Sequence, residues 1–152
     1  MSKMAQDYGA INLSQGFPDF ECPEKLKDLV AHYLYDQKNQ YPPMAGIQEL
    51  RQQIAIKVAD YYDFHADPDL EITVTSGATE ALFDAVQATV RSGDDVIVFD
   101  PAYDSYAPAI QLAGANAIHI PLRTPAYKID WNLVENSITK NTKLIIINSP
   151  HN

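Results

Sequence analysis

Four short runs of β-branched or apolar residues constrain the fold of this chain more than any other feature. They are residues 72–75, 96–99, 117–120 and 144–147, and the second and fourth contain no polar residue. Strands without polar alternation are typical of sheets that helices cover on both faces. Helical patterns at 78–91, 105–113 and 131–137 lie between these runs. The sequence therefore predicts an α/β fold with a mostly parallel, helix-covered sheet.

Two further helices are predicted upstream of these runs. Apolar residues recur at helical spacing from residue 24 to 37 and again from 46 to about 62. Pro42 and Pro43 lie between the two patterns and forbid one continuous helix, so the connection is expected to be an ordered loop.

The last apolar run lies close to the end of the sequence, and only residues 148–152 follow it. Four parallel strands make a thin sheet, and we expect one bare hydrophobic edge. This pattern predicts a part of a longer protein, or a chain that depends on another chain. The alternative is a compact four-stranded domain whose last strand is interior by strand order.

Composition limits the classes of partner. The 152 residues carry a net charge of −9, with a pI near 4.7, which argues against broad binding to nucleic acid or to anionic membranes. No apolar run approaches the ~20 residues that span a bilayer, and no secretory signal is visible, so a cytoplasmic location is predicted. Cys22 is the single cysteine, which excludes an intrachain disulfide and a cysteine-based metal cluster.

The segment 73–82 is the most informative for chemistry. It leads from a predicted strand into a predicted helix, with Gly77 at the bend and small or hydroxylated residues around it. Unpaired amides at a helix N-terminus can bind a phosphate, and the hydroxyls of Ser76 and Thr79 can donate to it. The alternative is an ordinary helix cap, with Gly77 at the cap position and Glu80 three residues on.

Aromatic and amide side chains follow two other predicted strands. Tyr103 and Tyr106 lie on the loop after the run 96–99, where one ring could stack on a planar heteroaromatic ligand; the alternative is packing on the sheet edge. Asn148 and Asn152 follow the last run, and an asparagine there either binds a ligand oxygen or makes a turn.

Other polar residues suggest less. Gly16 lies in an extended stretch where a ligand carboxylate could approach the backbone, or where the chain simply connects two elements. His32, His65 and His119 show no partner spacing, and His151 is beside the chain end, so no metal site is predicted. No motif supports a hydrolase.

Five segments, taken together and in this order, resemble the fold-type I pyridoxal-phosphate aminotransferases of class I/II, and most of all the methionine and kynurenine aminotransferase subgroup. They are residues 12–20, 39–46, 76–82, 100–106 and 148–152. The resemblance implies the large domain of that fold, incomplete here, with a short N-terminal small-domain segment. Residues 1–38 would be the arm and small-domain segment, and 39–152 the N-terminal half of the large domain.

The same resemblance implies roles in binding pyridoxal 5′-phosphate. The amides of Ala78 and Thr79, after Gly77, are similar to the family's phosphate-binding amides. Tyr103 is similar to the aromatic residue that stacks on the pyridine ring. Asn152 is similar to the asparagine that hydrogen-bonds the phenolic oxygen of the cofactor and tunes its ring.

Substrate and subunit contacts are implied as well. Gly16 resembles the glycine whose backbone meets the substrate carboxylate. Tyr41 resembles the tyrosine that reaches the cofactor phosphate of the neighbouring subunit, so a homodimer is expected. The substrates would be an amino acid (methionine, aromatic or glutamine-like) and a 2-oxo acid.

The departures from the family concern length and the catalytic lysine. Family members are more than twice as long, and their Schiff-base lysine would lie beyond Asn152. No catalytic residue is therefore assigned, and these 152 residues alone are predicted to have no turnover. An inactive gene relic or binding fragment, a C–S β-lyase of the same cofactor class and a nucleotide-binding Rossmann-type domain stay open as alternatives.

Overall fold

The structure of the chain is a computed structural model that describes residues 1–14, 16 and 18–151. The chain divides into two compact units, Met1–Pro42 and Pro43–Asn152. Within the described residues, no helix is long and apolar enough to cross a membrane.

The first unit contains two helices, α1 (Ser2–Asp7) and α2 (Glu24–Tyr35). Helix α2 was predicted, and Pro23 immediately precedes it. Helix α1 was not predicted, because six residues are too few for a helical period to stand out. The apolar stripe of α2 is exposed to solvent.

The second unit opens with helix α3 (Gln48–Tyr62), whose start is tied to the loops around it by Arg51. The buried guanidinium of Arg51 donates to the carbonyl oxygens of Gly46 and Pro68, and it forms a 3.0 Å ion pair with Asp69. Gly46 has a φ of +93°, and a Cβ there would lie 2.6 Å from Cγ2 of Val74. Only glycine fits this crossing without displacing the backbone.

Three parallel strands form the sheet of the second unit, in the order β2-β1-β3. They are β1 (Asp95–Asp100), β2 (Asn116–Pro121) and β3 (Thr142–Ile146). Helices α4 (Gly77–Thr89), α5 (Tyr106–Leu112) and α6 (Trp131–Ser137) alternate with them along the chain. The prediction of a parallel, helix-covered sheet is confirmed.

The core lies on both faces of the central strand β1. Val96 and Val98 point to one face, and Ile97 and Phe99 point to the other. The first face packs against side chains of α4 and α5, which include Val86, Val90 and Ile110. The second face packs against Ile120, Leu122 and Val134. Burial on both faces explains why β1 has no polar residue between its two terminal aspartates.

Two predictions about strands are wrong. Residues 72–75 form no strand, because among the described residues their backbone makes one inter-segment hydrogen bond, from Val74 N–H to Ala45 O at 3.0 Å, and a ladder needs several. The last strand, β3, was expected to be covered on both faces, but Ile145 on it is exposed. It lies at the edge of the sheet of the described residues, so the bare hydrophobic edge that the sequence predicts is present there, and the alternative of an interior last strand is wrong.

Candidate functional site

The start of helix α4 lies at the bend that the sequence singled out. Gly77 has a φ of +78°, a conformation that glycine adopts without strain, and Ser76 is the N-cap residue. The expectation that Gly77 itself would occupy the cap position is therefore wrong by one residue. The amide of Ser76 donates to the carboxylate of Glu80, but the side chain of Ser76 makes no capping hydrogen bond. Glu80 is four residues after Ser76, one position beyond the acidic residue of a capping box, so no capping box is formed.

Because the side chain of Ser76 makes no capping hydrogen bond, amide donors are available at this helix end. Among the hydrogen bonds of residues 1–14, 16 and 18–151, none uses the amide N–H of Ala78 or Thr79. First-turn amides have no partner within the helix, and they carry the positive end of its dipole. A Cβ built on Gly77 would meet no atom within 4 Å, so the backbone at the bend is open to approach.

The aromatic loop after β1 reaches this helix end. The hydroxyl of Thr79 and the phenolic hydroxyl of Tyr103 form a 3.2 Å hydrogen bond. The ring of Tyr103 contacts that of Tyr106 edge to face, with centroids 5.8 Å apart. Tyr106 is 9% exposed and belongs to the core, whereas Tyr103 is 36% exposed. The packing alternative therefore holds for Tyr106, and Tyr103 keeps a ring surface that a ligand can contact.

The other predicted site residues lie in other parts of the chain. Gly16 and Tyr41 belong to the first unit, where both are exposed. Asn152 lies outside the described residues. Asn148 follows β3 and is half-buried.

Three polar residues near the aromatic loop were not predicted to contribute to the site. Nδ1 of His119 lies 2.9 Å from the carboxylate of Asp100, and Nε2 of His151 lies 2.6 Å from the carbonyl oxygen of Pro101. The hydroxyl oxygen of Ser105 is buried, with no hydrogen-bond partner among the described residues. The sequence analysis considered these histidines only as metal ligands and did not predict their hydrogen bonds. Their partners lie 19 and 50 residues away in the sequence, at the end of β1 and just beyond it, where sequence spacing carries no signal.

Taken together, these groups fit a phosphate ester attached to an aromatic ring. Two free amides and a hydroxyl at the start of α4 are suited to a phosphate. The half-exposed ring of Tyr103, which is hydrogen-bonded to that same hydroxyl, is suited to stacking on a planar ring. Pyridoxal 5′-phosphate has both parts, so the residues present fit the cofactor that the resemblance implied.

Comparison with known proteins places the chain in a family. Residues 8–152 match the model of aminotransferase class I and II. Methionine aminotransferase of Escherichia coli is 50% identical over 152 residues, which are the whole of this chain and 39% of that protein. Human kynurenine–oxoglutarate transaminase 3 is 37% identical, over 99% of this chain and 36% of that protein.

Solved structures agree with the sequence comparison. The crystal structure of the E. coli methionine aminotransferase superimposes with a TM-score of 0.94 over 99% of this chain and 40% of that one. N-succinyldiaminopimelate aminotransferase from Mycobacterium tuberculosis has the same TM-score at 39% identity, over 40% of its length.

The chain belongs to the aminotransferase class I and II family, and its fold is that of the corresponding part of fold-type I aminotransferases. It spans about two-fifths of the length of the curated relatives it matches. The predicted resemblance and fold class are both confirmed.

Proposed function

We propose that this chain forms the part of a pyridoxal-phosphate-dependent aminotransferase that binds the phosphate and the ring of the cofactor. The 3.2 Å hydrogen bond between Thr79 and Tyr103 carries the proposal. It joins the two segments that the family resemblance assigns to phosphate binding and to ring stacking. Family membership over residues 8–152 supports the same conclusion.

Each residue has a distinct task in this proposal. The amides of Ala78 and Thr79 donate to the phosphate, and the open backbone at Gly77 lets it come close. The hydroxyl of Thr79 links this phosphate site to Tyr103, whose ring lies against the cofactor ring and fixes its plane. Bound pyridoxal phosphate supplies an electron sink that stabilises negative charge on the substrate carbon.

Three further assignments rest on the resemblance and belong to the proposal. Asn152 would donate to the phenolic oxygen of the cofactor. The backbone of Gly16 would bind the carboxylate of the substrate. Tyr41, whose side chain is fully exposed, would reach the cofactor phosphate of the partner subunit in a homodimer.

The proposed reaction of the whole protein moves an amino group from an amino acid to a 2-oxo acid. Methionine, aromatic or glutamine-like donors are proposed, and relatives named for methionine and for kynurenine transamination support this range. We expect no turnover from these 152 residues alone. None of the eight lysines of the sequence matches the family's Schiff-base lysine motif, and the family's chemistry needs a lysine amine as its base.

The binding proposal is tested with a ligand that cannot react with surface lysines. Pyridoxine 5′-phosphate has an alcohol in place of the aldehyde, so only the noncovalent site retains it. We expect the chain to bind this ligand, as measured by calorimetry, at least about tenfold more tightly than it binds pyridoxine, which lacks the phosphate. Equal binding of the two would contradict a phosphate site, and tighter binding of ATP or NAD would favour a nucleotide-binding domain.

The reaction is tested on the protein made from the complete gene. Amino transfer from methionine to 2-oxoglutarate, followed by the appearance of glutamate, is the expected result. Cleavage of a carbon–sulfur bond without amino transfer would instead identify a lyase of the same cofactor class.

A further inference from the structure

The loop that carries Tyr103 follows the end of β1, where β1 is paired with a neighbouring strand on one side only. Strand β1 pairs with β2 as far as Asp100, whose carbonyl accepts from Leu122 N–H at 2.7 Å. Its pairing with β3 stops at Val98, opposite Ile146. Beyond Val98, backbone pairing therefore supports the central strand on the β2 side alone.

A histidine on the β2 side holds the last residue of β1 by its side chain. Nδ1 of His119 lies 2.9 Å from Oδ2 of Asp100. A carboxylate oxygen accepts hydrogen bonds, so Nδ1 is the nitrogen that donates. Both side chains are partly exposed. His119 is two residues before Pro121, the register partner of Asp100, so alternation along the strand puts it on the same face.

A second histidine contacts the chain on the β3 side, where strand pairing has ended. His151 belongs to the segment after β3, and its Nε2 donates to the carbonyl oxygen of Pro101 at 2.6 Å. Because proline has no N–H, this carbonyl is the only backbone hydrogen-bonding group of that residue. The side chain of His151 thus supplies, on the β3 side, the contact that a longer strand would have made.

The two contacts lie two and three residues before Tyr103. Between them and Tyr103, Ala102 packs against the core that α4, α5 and β1 share. Beyond it, the carbonyl of Tyr103 accepts from Tyr106 N–H at 3.2 Å, which joins the loop to the first turn of α5. The backbone from Asp100 to Tyr106 is therefore held at both ends, and Tyr103, which lies between them, bonds to Thr79.

We infer that His119 and His151 are positioning residues, which clasp Asp100 and Pro101 from opposite sides of β1 and thereby hold Tyr103 against Thr79. The described hydrogen bonds of the two histidines go to Asp100 and Pro101, and not to Thr79 or Tyr103. For the ligand-free chain the inference depends only on the contacts described, and its consequence for cofactor binding rests on the proposed function.

The test uses the fact that the two clasps employ different ring nitrogens. The side-chain amide nitrogen of asparagine is as many bonds from Cβ as Nδ1 of histidine, and that of glutamine is as many bonds away as Nε2. His119→Asn should therefore keep its clasp and His119→Gln should lose it. At position 151 the order is reversed, so His151→Gln should keep the clasp and His151→Asn should lose it. A role in filling space would favour the same substitution at both positions.

The primary readout needs no ligand. In NMR spectra of the full chain, a nuclear Overhauser contact between the ring of Tyr103 and the methyl group of Thr79 reports the held orientation. We expect this contact in the wild type, in the two variants that keep the donor and in the control His65→Ala, whose side chain is exposed and makes no hydrogen bond among the described residues. It should disappear in His119→Gln and His151→Asn, while the far-ultraviolet dichroism stays unchanged.

The second readout is the affinity for pyridoxine 5′-phosphate, which should fall about fivefold in the two variants that lose the donor and stay unchanged in the other three. Persistence of the Tyr103–Thr79 contact in His119→Gln and His151→Asn would overturn the clasp, and so would its loss in all four histidine variants. Failure of the wild type to bind pyridoxine 5′-phosphate would overturn the proposed function. The NMR contact would still show whether His119 and His151 position Tyr103.

Discussion

The polar groups at the two ends of the parallel sheet differ in how far they are hydrogen-bonded within the described chain. At the amino end, Asp95 is fully engaged. Its carboxylate accepts from the side chains of Asn116 and Thr139, each at 3.1 Å, and its N–H donates to Asn141 O at 2.9 Å. Asp94 likewise accepts from Arg91 N–H at 2.8 Å. The contacts of Asp95 join β1 to β2 and to the segment before β3, and the contact of Asp94 closes the turn before β1.

At the carboxyl end, several groups are left without a partner inside the described chain. The amides of Ala78 and Thr79 donate to no described acceptor, and the buried hydroxyl of Ser105 has no partner there. The ring of Tyr103 is partly exposed although its hydroxyl is bonded to Thr79.

The difference shows how one scaffold separates stability from binding. Strand ends at both edges carry polar groups, and at the amino edge the described contacts pair them with other groups of the chain. The carboxyl edge leaves its donors directed outward, where a ligand can use them. Substitutions at the amino end are therefore expected to lower the free energy of unfolding, and exposed groups at the carboxyl end are expected to govern ligand affinity.

The largest expected effect is a difference in stability between alanine variants of the two tyrosines at the carboxyl end, Tyr106 and Tyr103. Tyr106→Ala removes a core ring and should lower the free energy of unfolding by about 3 kcal/mol, as measured by urea denaturation. Tyr103→Ala removes a partly exposed ring and should cost about 1 kcal/mol or less, while it weakens binding of pyridoxine 5′-phosphate about tenfold. Similar losses of stability in the two variants would mean that Tyr103 is structural.

The sequence predicted the layers of this fold because apolar periodicity is a local property. The run at 96–99 became β1 at Asp95–Asp100, and the run at 117–120 became β2 at Asn116–Pro121. The same reasoning failed at residues 72–75. Their β-branched composition favours an extended backbone, but a strand also needs a partner, and no pattern within four residues says whether one is present.

The candidate site was predictable only in part, for the same physical reason. The bend at Gly77 is a local signal, and it was found. The histidine contacts to Asp100 and Pro101 depend on strand order and register, which follow from the packing of the whole sheet. The roles of Gly16, Tyr41 and Asn152 came from family resemblance alone, and they stay predictions.

A matched pair of glycines sharpens the comparison between the two ends. Gly77 at the carboxyl end and Gly93 before β1 both have positive φ angles, +78° and +88°, and a Cβ on either would meet no atom within 4 Å. Alanine at either position should therefore cost a similar ~1–2 kcal/mol of stability from backbone strain. We expect Gly77→Ala alone to weaken ligand binding, about tenfold, because its methyl group would lie where the phosphate approaches.

Calorimetry measures the ligand affinity of both glycine variants, and urea denaturation measures their free energy of unfolding. Equal loss of affinity in Gly77→Ala and Gly93→Ala would trace the effect to strain and not to the ligand. Unchanged affinity in Gly77→Ala would contradict the proposal that the phosphate binds at this bend.

The smallest expected effect compares two threonines, one at each end. The hydroxyl of Thr139 donates to Asp95 at 3.1 Å and accepts from Asn141 N–H at 3.1 Å, whereas that of Thr79 bonds to Tyr103. Thr139→Ala should lower the free energy of unfolding by about 1–2 kcal/mol and leave affinity for pyridoxine 5′-phosphate unchanged. Thr79→Ala should change stability by about 0.5 kcal/mol, because within the described residues its hydroxyl makes one hydrogen bond against two for Thr139, and reduce affinity about fivefold.

Thr79→Ser distinguishes the hydroxyl of Thr79 from its methyl group, because serine retains the donor and should restore wild-type affinity. Thr79→Ala could instead lower the free energy of unfolding as much as Thr139→Ala does and leave the affinity for pyridoxine 5′-phosphate unchanged. In that case the hydroxyl of Thr79 stabilises the fold, as that of Thr139 does at the amino end. The two edges of the sheet would then be equivalent, and the separation between stability and binding would fail at the residue that joins the phosphate site to the aromatic ring.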